Sequence, residues 1–254
     1  MPVFFMRKLL RPYFQPIFNL KTGAVSHYEA LARVVGAEES GKHVEFIAAA
    51  EKFGFVYMID TTMMEMVCDL LRQNHRLRVA TNFSVHTVEE EGNMILSTLY
   101  RYADVSPRFV VEITETLPVT DYAAVAHFIK GMHHAGVKVA LDDFGAGHFT
   151  LDSIQLLRPD IIKLDGTVVE QIESGDLRQL AAVQSIAGKY GAEIVGERVD
   201  NERKLGALRS AGVHYAQGFL FGKPSPEFLH HCDEGRPHRF FQPLGAVQPA
   251  PVGP

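Results

Sequence analysis

The sequence has only two cysteines, no excess of positive charge and no long apolar run. Cys68 and Cys232 do not form a metal-spaced pair, which favours a reducing compartment. A formal net charge of −5 argues against a surface for nucleic-acid polymers, although a small anionic substrate remains open. No uncharged apolar segment is long enough to span a bilayer, and the first ten residues lack the features of a signal peptide. We therefore expect a cytoplasmic protein without a membrane span.

Short apolar runs that end in polar residues recur along the chain, and helical patterns separate the later ones. The candidate strands are residues 13–20, 25–34, 77–85, 108–116, 137–143, 160–166, 192–199 and 214–222. The candidate helices are residues 121–135, 167–190 and 201–211, with two more between His43 and Asn74. Alternating strands and helices indicate parallel βαβ units, and about 250 residues is typical of a (β/α)₈ barrel. An open doubly wound sheet is the alternative.

The first two candidate strands are joined by the short turn LKTG (20–23), which suits an antiparallel hairpin better than a parallel crossover. The predicted fold is therefore α/β, a TIM-like (β/α)₈ barrel with an irregular, antiparallel first strand. We assign residues 1–12 to an N-terminal extension and residues 13–234 to the barrel, with a closing helix after Pro224. Residues 235–254 read as a Pro-rich, flexible tail.

Polar side chains stand at the ends of the candidate strands, where a barrel of this kind carries its active site. They are Glu29, Asn82, Glu112, Asp142, Asp143, Lys163, Glu197 and Gln217. Because the strand ends converge on one rim, the carboxylates among them would repel one another unless cations lay between them. Oxygen ligands without His or Cys select Mg²⁺ or Mn²⁺, and two such ions commonly assist displacement at phosphorus. We predict that the adjacent Asp142 and Asp143 serve two metal ions.

Other interpretations of these residues are weaker. The Asp142–Asp143 pair alone could be a solvated turn with a helix cap. GAGHFT (145–150) resembles half of a dinucleotide fingerprint but lacks its third glycine, and the two acids before it would repel a pyrophosphate. DFG (143–145) is not accompanied by the other kinase motifs. Lys163 could form a Schiff base, but the surrounding carboxylates would keep its amine protonated.

Six blocks at these positions resemble the EAL-domain family, in the order that family shows. They are YEALAR (28–33), NFS (82–84), EITET (112–116), DDFGAG (142–147), KLD (163–165) and QGFLFGKP (217–224). Each block alone is a weak signal, whereas together they are highly specific, and the resemblance runs from about Tyr13 to Pro226. It implies a bacterial phosphodiesterase that hydrolyses cyclic di-GMP to linear pGpG with two Mg²⁺ or Mn²⁺ ions. It also implies a homodimer, and regulation by a protein partner remains open.

The resemblance assigns expected roles residue by residue. The implied metal ligands are Glu29, Asn82, Glu112, Asp142, Asp143 and Glu197. The implied catalytic residues are Lys163, which holds the attacking water or hydroxide, Glu197, which is the general base, and Glu29. The implied substrate-binding residues are Leu31, Arg33 and Gln217. The residues expected to support the site or its loop are Glu115, Gly145, Gly147 and Asp200.

The sequence departs from the family pattern at residues close to the implied metal ligands. Arg198 and Asp200 replace the glycine and the last glutamate of EGVE, and Ala146, His148 and Phe149 change the loop after Asp143. Arg198 brings a cation next to Glu197, and Asp200 shortens the reach of a supporting carboxylate. We therefore predict weakened hydrolysis with the defect in metal affinity or turnover. A catalytically inactive cyclic di-GMP receptor or a protein scaffold is the alternative.

Overall fold

A computed structural model describes residues 2–37, 41–115 and 118–228. In this part of the chain, eight strands form a closed barrel in which sequence neighbours pair and β8 returns to β1. The strands are β1 (Leu10–Asn19), β2 (Val25–Val34), β3 (Val79–Ser84), β4 (Phe109–Thr114), β5 (Lys138–Phe144), β6 (Ile161–Leu164), β7 (Glu193–Gly196) and β8 (Tyr215–Gln217). The helices are α1 (Pro2–Leu9), α2 (Lys42–Lys52), α3 (Val56–Gln73), α4 (Val85–Leu99), α5 (Tyr122–His134), α6 (Leu151–Leu157), α7 (Gly166–Glu173), α8 (Arg178–Ala187) and α9 (Glu202–Ser210).

Strand β1 runs antiparallel to both of its neighbours, whereas the remaining pairs are parallel. The turn after β1 explains this direction: the Asn19 side-chain oxygen accepts hydrogen bonds from the backbone N–H groups of Lys21 and Thr22, and Gly23 adopts a φ of 71°. Glycine reaches this left-handed conformation without a steric penalty. The predicted barrel with an antiparallel first strand is confirmed, and the open doubly wound sheet is excluded.

The helical predictions need correction. The single helix predicted over residues 167–190 is two helices, because the chain turns between α7 and α8 at Gly175, whose φ is 91°. Helices α4 and α6 were not predicted. Helix α6 has only 7 residues, too few for a clear apolar period, and the first residue of α4, Val85, was assigned to the preceding strand. Among the described helices, none combines the length and hydrophobicity needed to cross a membrane.

The ends of the barrel also differ from the prediction. Strand β1 begins at Leu10, and α1 lies within the predicted extension, where Arg7 pairs with Glu65 and Asp69 of α3. In the described part of the predicted closing helix, residues 225–228 contain no helix, and Ser225 forms a bridge to Phe14. The remainder of that segment and the Pro-rich tail lie outside the described residues.

The inside of the barrel is filled by one layer of apolar side chains. The layer comprises Ile17, Ala80, Val110, Ala140, Ile161 and Val195, with Tyr215 packed against it. Side chains alternate between the two faces of a strand, so residues two positions away again point inward. That offset leads to Gln15 on the antiparallel β1 and, on the parallel strands, to Asn82, Glu112, Asp142, Lys163, Glu197 and Gln217. An apolar floor therefore lies beneath a layer of polar side chains.

The seam between β7 and β8 depends on a close approach at Gly218. The Val199 N–H donates to the Gln217 carbonyl at 3.0 Å, and the Leu220 N–H donates to the Val199 carbonyl at 3.0 Å. A Cβ atom at Gly218 would lie 2.1 Å from the Val199 carbonyl oxygen. Only glycine fits here, and the contact holds the end of β8 against the segment that follows β7.

We expect Gly218→Ala to destabilise the protein by about 1–3 kcal/mol, because the added methyl group overlaps backbone at the seam. Gly206→Ala is the matched control, since its added Cβ inside α9 would have no described heavy atom within 4 Å apart from its chain neighbours and the backbone of its own helix. This control should stabilise the protein by about 1 kcal/mol through helix propensity. Urea denaturation measures both, and an unchanged free energy of unfolding in Gly218→Ala would contradict the close approach.

Candidate active site

The Lys163 ammonium group lies at the centre of the polar layer and is 1% exposed. Its Nζ atom is 2.6 Å from Glu112 Oε2 and 2.8 Å from Glu197 Oε1. The same atom is 2.9 Å from Asp142 Oδ1 and 3.6 Å from Glu29 Oε2. One buried cation therefore contacts carboxylates that come from four different strands or strand ends, as the convergence of the barrel rim predicts.

Amide side chains hold Glu29 from both sides. Asn82 Nδ2 donates to Glu29 Oε1 at 2.7 Å, and Gln217 Nε2 donates to Glu29 Oε2 at 2.6 Å. Gln217 also contacts Gln15, whose own amide donates to the Gly222 carbonyl at 3.1 Å. The sequence did not identify Gln15, because β1 runs antiparallel and contributes to the polar layer from near its middle and not from its C-terminal end. Its offset of two from the inward-facing Ile17 is the signal that identifies it.

Asp142 and Asp143 reach the same site because β5 is irregular between them. The pairing of β5 with β6 shifts register between Leu141 and Phe144, and Asp143 has a φ of 54°. Carboxylate oxygens of Asp142, Asp143 and Glu197 lie within 4.8 Å of one another. A regular strand would have turned the Asp143 side chain away from its neighbour. The bulge thus explains how two adjacent acids can face one site.

The loop after Asp143 is held by packing and by its glycine. The Asp143 carbonyl accepts hydrogen bonds from the backbone of Ala146 and Gly147, both at 3.1 Å. Gly145 has a φ of 107°, and a Cβ there would lie 2.3 Å from Val168 Cγ2. Phe149, one of the departures from the family pattern, is buried in the main core. These contacts fix the loop without requiring the family's residues at this position.

Glu115 is placed beside this loop. It is 7% exposed, and a Cβ on Gly147 would lie 3.5 Å from Glu115 Oε2. Burial raises the pKa of Glu115, while the backbone N–H groups of Val119, His148 and Phe149 act to lower it. The expected role of Glu115 as an anchor for the loop stays a prediction, and Gly147 is the loop residue next to it.

Burial strongly shifts the pKa values of the titratable groups in the site. Burial raises the pKa of Glu197 to about 8 against the opposing effect of Lys163, and raises that of Glu112 well above its usual range. Burial also lifts the pKa of Asp143 to about 6, with a further contribution from Asp142. For Lys163, burial acts to lower the pKa, but the surrounding carboxylates outweigh it and raise it well above normal. Lys163 is therefore an ammonium ion and unsuited to Schiff-base chemistry.

The polar layer forms the base of a cavity of about 460 Å³. Its walls include Leu31, Asp200 and Phe219, the last of which is 62% exposed. A second cavity of about 220 Å³ contains Arg33 and Asn82 and shares Leu31 with the first. Arg33, predicted to bind substrate, therefore lines the neighbouring cavity, where its Nη1 donates to the Ala32 carbonyl at 3.0 Å.

Arg198 and Asp200 pair with groups at the edge of the main cavity. The cation beside Glu197 is Lys163, whereas Arg198 Nη2 lies 3.2 Å from Asp165 Oδ2. Asp200 Oδ1 lies 3.2 Å from Nζ of Lys204, which is 6% exposed and also donates to the Arg198 carbonyl at 3.3 Å. Lys204 was not identified from the sequence, because its position inside α9 looks like an ordinary solvated helix residue.

The profile of the EAL domain family matches residues 3–224. The chain belongs to the EAL domain family. It is 27% identical over 87% of its length to the cyclic di-GMP phosphodiesterase PdeB of Shewanella oneidensis. The chain spans only 27% of the length of that relative.

Solved structures of EAL proteins agree with this assignment. The Bacillus subtilis YkuI protein has an EAL domain, and its structure was solved in complex with substrate c-di-GMP and calcium. Its TM-score to this chain is 0.75 and the two are 26% identical. That match covers 91% of this chain and 59% of the other. Klebsiella pneumoniae BlrP1, solved as a manganese/cy-diGMP complex, has a TM-score of 0.72 and 27% identity, covering 85% of this chain and 56% of the other. The acidic cluster of this EAL domain fits divalent metal binding.

Asp60 is a further buried acid next to the site. It lies in α3, is 6% exposed and lines the second cavity together with Asn82. Its Oδ2 accepts the backbone N–H of Ser84, the residue that precedes α4, at 3.0 Å. Burial raises the pKa of Asp60 to about 7, although Thr87 and Ser84 act to lower it. Asp60 therefore helps to hold the end of β3, and its charge state depends on pH.

Because the pKa of Asp60 is raised on folding, its contribution to stability is complete below the pKa of the unfolded chain, near 4. That contribution is lost as pH rises through about 7. We expect Asp60→Asn to remove this dependence. Between pH 4 and 8, the free energy of unfolding of the variant should therefore rise relative to that of the parent by on the order of 4 kcal/mol.

Urea denaturation at several pH values measures this difference. Glu90→Gln, which replaces an exposed carboxylate on α4, should shift stability by less than about 0.5 kcal/mol at any pH. A difference between Asp60→Asn and the parent that stays constant with pH would show that Asp60 does not titrate as described.

Proposed function

We propose that this EAL domain is a metal-dependent phosphodiesterase that hydrolyses cyclic di-GMP to linear pGpG. The observation that carries the proposal is the buried Lys163 ammonium, held within 3 Å of Glu112, Asp142 and Glu197 at the base of an open cavity. The names of the curated relatives support a cyclic di-GMP substrate at the level of the family. The predicted homodimer and regulatory protein partner rest on the resemblance alone.

The donor groups fit hard divalent cations. They are all oxygens, and Asn82 Oδ1 is buried without a hydrogen-bond partner among the described residues, as a ligand atom would be. We assign the first ion to Glu29, Asn82, Glu112 and Asp142, and the second to Asp142, Asp143 and Glu197. Mg²⁺ or Mn²⁺ matches this donor set. When bound, the ions supply positive charge that offsets the negative charge developing on the phosphoryl and leaving oxygens.

The chain's own residues position and activate the attacking water. We assign to the Lys163 ammonium the role of holding the water oxygen for attack in line with the leaving 3′ oxygen. Its three donors contact Glu112, Asp142 and Glu197 in this structure, so one of these contacts is given up when the water binds. We assign the proton acceptor for that water to Glu197, whose Oε1 lies 2.8 Å from Lys163 Nζ. A phosphorus–oxygen bond to water forms as the bond to the 3′ oxygen breaks, and the 3′ oxygen takes up a proton. Gln217 keeps Glu29 oriented throughout.

The two cavities suit the size and chemistry of the proposed substrate. Leu31 lies between them, Arg33 offers guanidinium donors for a phosphate, and the exposed ring of Phe219 offers a flat surface for a base. A receptor function is the second candidate, because Arg198 and Asp200 lie in the wall of the main cavity where the family pattern differs. A receptor would bind the nucleotide in the same cavities without turnover.

The enzyme function is tested by incubating the protein with cyclic di-GMP and Mn²⁺ and measuring pGpG by chromatography. We expect product that depends on the metal, and a loss in kcat of about a thousandfold in Lys163→Met. Lys138→Met is the matched control, because Lys138 pairs with Glu193 at the start of β5 and β7, the opposite end of the barrel.

If the parent forms no more pGpG than Asp142→Ala does, the proposed enzyme function is wrong. Nucleotide binding without turnover would then favour the receptor, and a lack of binding would favour the scaffold.

The double variant Arg198→Gly, Asp200→Glu restores the family pattern beside the site. Glycine accepts the left-handed backbone that Arg198 adopts, with a φ of 52°, and a glutamate reaches further into the cavity than Asp200. We expect turnover to rise or the Mg²⁺ requirement to fall, and initial rates measured across a range of Mg²⁺ concentrations test this. Equal rates for variant and parent at every concentration would show that these departures are neutral.

A further inference from the structure

Lys204 is a buried lysine in an unfavourable place for a positive charge. It is 6% exposed and lies in the first turn of α9, three residues after the capping residue Asn201. The N-terminus of a helix carries a partial positive charge, and burial removes the water that would stabilise an ammonium group. The contacts of Lys204 must offset both costs, and they therefore indicate what the residue does.

The Lys204 ammonium connects α9 to the segment that leaves β7. Its Nζ atom donates to the Arg198 carbonyl at 3.3 Å and lies 3.2 Å from Asp200 Oδ1. A second carboxylate, that of Glu170 on α7, has its Oε1 atom 3.8 Å away. Arg198 has a φ of 52°, a left-handed conformation that is unfavourable for a residue other than glycine and needs local support. Lys204 provides part of that support from the helix.

The turn at Arg198 directly follows Glu197, which reaches the centre of the polar layer. Backbone hydrogen bonds of 3.0 Å fix the N–H of Glu197 to β6 and the N–H of Val199 to β8. The carbonyl of the same peptide group as the Val199 N–H belongs to Arg198, and because the peptide is trans it points the opposite way, toward Lys204. The position of Glu197 Oε1, 2.8 Å from Lys163 Nζ, therefore depends on a turn that is held from both sides.

We propose that Lys204 is a positioning residue for the hydrolysis, which holds the turn after Glu197 and so keeps the Glu197 carboxylate beside Lys163. The inference rests on the proposed function, from which the role of Glu197 is taken. The walls of the main cavity include Arg198 and Asp200 but, among the described residues, not Lys204. Lys204 therefore acts on turnover through the backbone, and a displacement of a reacting group by about 1 Å can lower kcat by about a hundredfold.

The kinetic test compares Lys204→Met with the parent in the Mn²⁺-dependent hydrolysis of cyclic di-GMP. Methionine fills a similar volume without donors, and replacing a buried ion by an apolar group often leaves stability unchanged or raises it. We expect kcat to fall by about tenfold to a hundredfold while KM changes by less than about twofold. Lys204→Arg, which keeps the charge and the donors, should recover most of the loss. Arg203→Met, which removes an exposed cation of the same helical turn, should resemble the parent.

The effect should also depend on Glu197. In a Glu197→Gln background, Lys204→Met should lower kcat by no more than about twofold, because the carboxylate that the turn positions is already absent. A role of Lys204 in stability alone would lower the activity equally in both backgrounds.

Amide hydrogen exchange of the full chain, measured by NMR without nucleotide or metal, tests the turn independently of catalysis. The Val199 N–H donates to the Gln217 carbonyl, and its exchange reports how often the turn opens. We expect this amide to exchange about fivefold faster in Lys204→Met than in the parent, since one hydrogen bond to the same peptide group is lost. Arg203→Met should leave its exchange unchanged.

Equal Val199 exchange in the parent and Lys204→Met would overturn the inference and leave the proposed function intact. A kcat loss that persists in full in the Glu197→Gln background, or a rise in KM with unchanged kcat, would overturn it as well. If Lys204→Met does not fold, Lys204→Gln takes its place, with a smaller change in the same direction expected because its amide can still donate to the Arg198 carbonyl. An inactive parent would instead overturn the proposed function, whereas the exchange measurement would still decide whether Lys204 holds the turn.

Discussion

The contact between the Lys163 ammonium and its carboxylate partners is the interaction on which the site depends. Burying several acids in the mouth of a barrel is unfavourable unless a cation accompanies them. Lys163 supplies that cation from the barrel's own wall, at distances of 2.6–2.9 Å from Glu112, Asp142 and Glu197. The acidic cluster can therefore fold before any metal arrives, and an incoming ion meets carboxylates that are already oriented.

The barrel places these groups by a simple spacing rule. On the parallel strands, each inward-facing apolar residue of the floor is followed two positions later in the chain by a residue of the polar layer, as Val110 is by Glu112 and Ile161 by Lys163. Strand geometry alone thus separates the apolar part of the interior that stabilises the fold from the polar part that forms the candidate site. The same rule brings Gln15 into the layer from β1, because its direction along the chain is reversed.

Much of this was accessible from the sequence, for identifiable physical reasons. The closed barrel and its antiparallel first strand followed from strand periodicity and from the short LKTG turn, and the polar ends of successive strands identified the acids around Lys163. The left-handed backbone of Asp143 and Arg198 was not accessible, because it is imposed by tertiary contacts. Nor could the sequence show that Arg33 belongs to a neighbouring cavity, or that Lys204 turns inward to Asp200. Such orientations depend on how the loops pack after the strands are in place.

The bridge between Phe14 and Ser225 connects the segment after β8 to the candidate site. The two residues exchange backbone hydrogen bonds of 2.7 and 3.1 Å, so the chain that leaves β8 is fastened to β1 next to Gln15. Gln15 in turn touches the Gly222 carbonyl and Gln217, and Gln217 holds Glu29. A substitution that breaks the Phe14–Ser225 bridge would therefore loosen the support of Gln15, Gln217 and, through them, the Glu29 carboxylate. The bridge at Ser225 is thus continuous, through side-chain hydrogen bonds, with the candidate site.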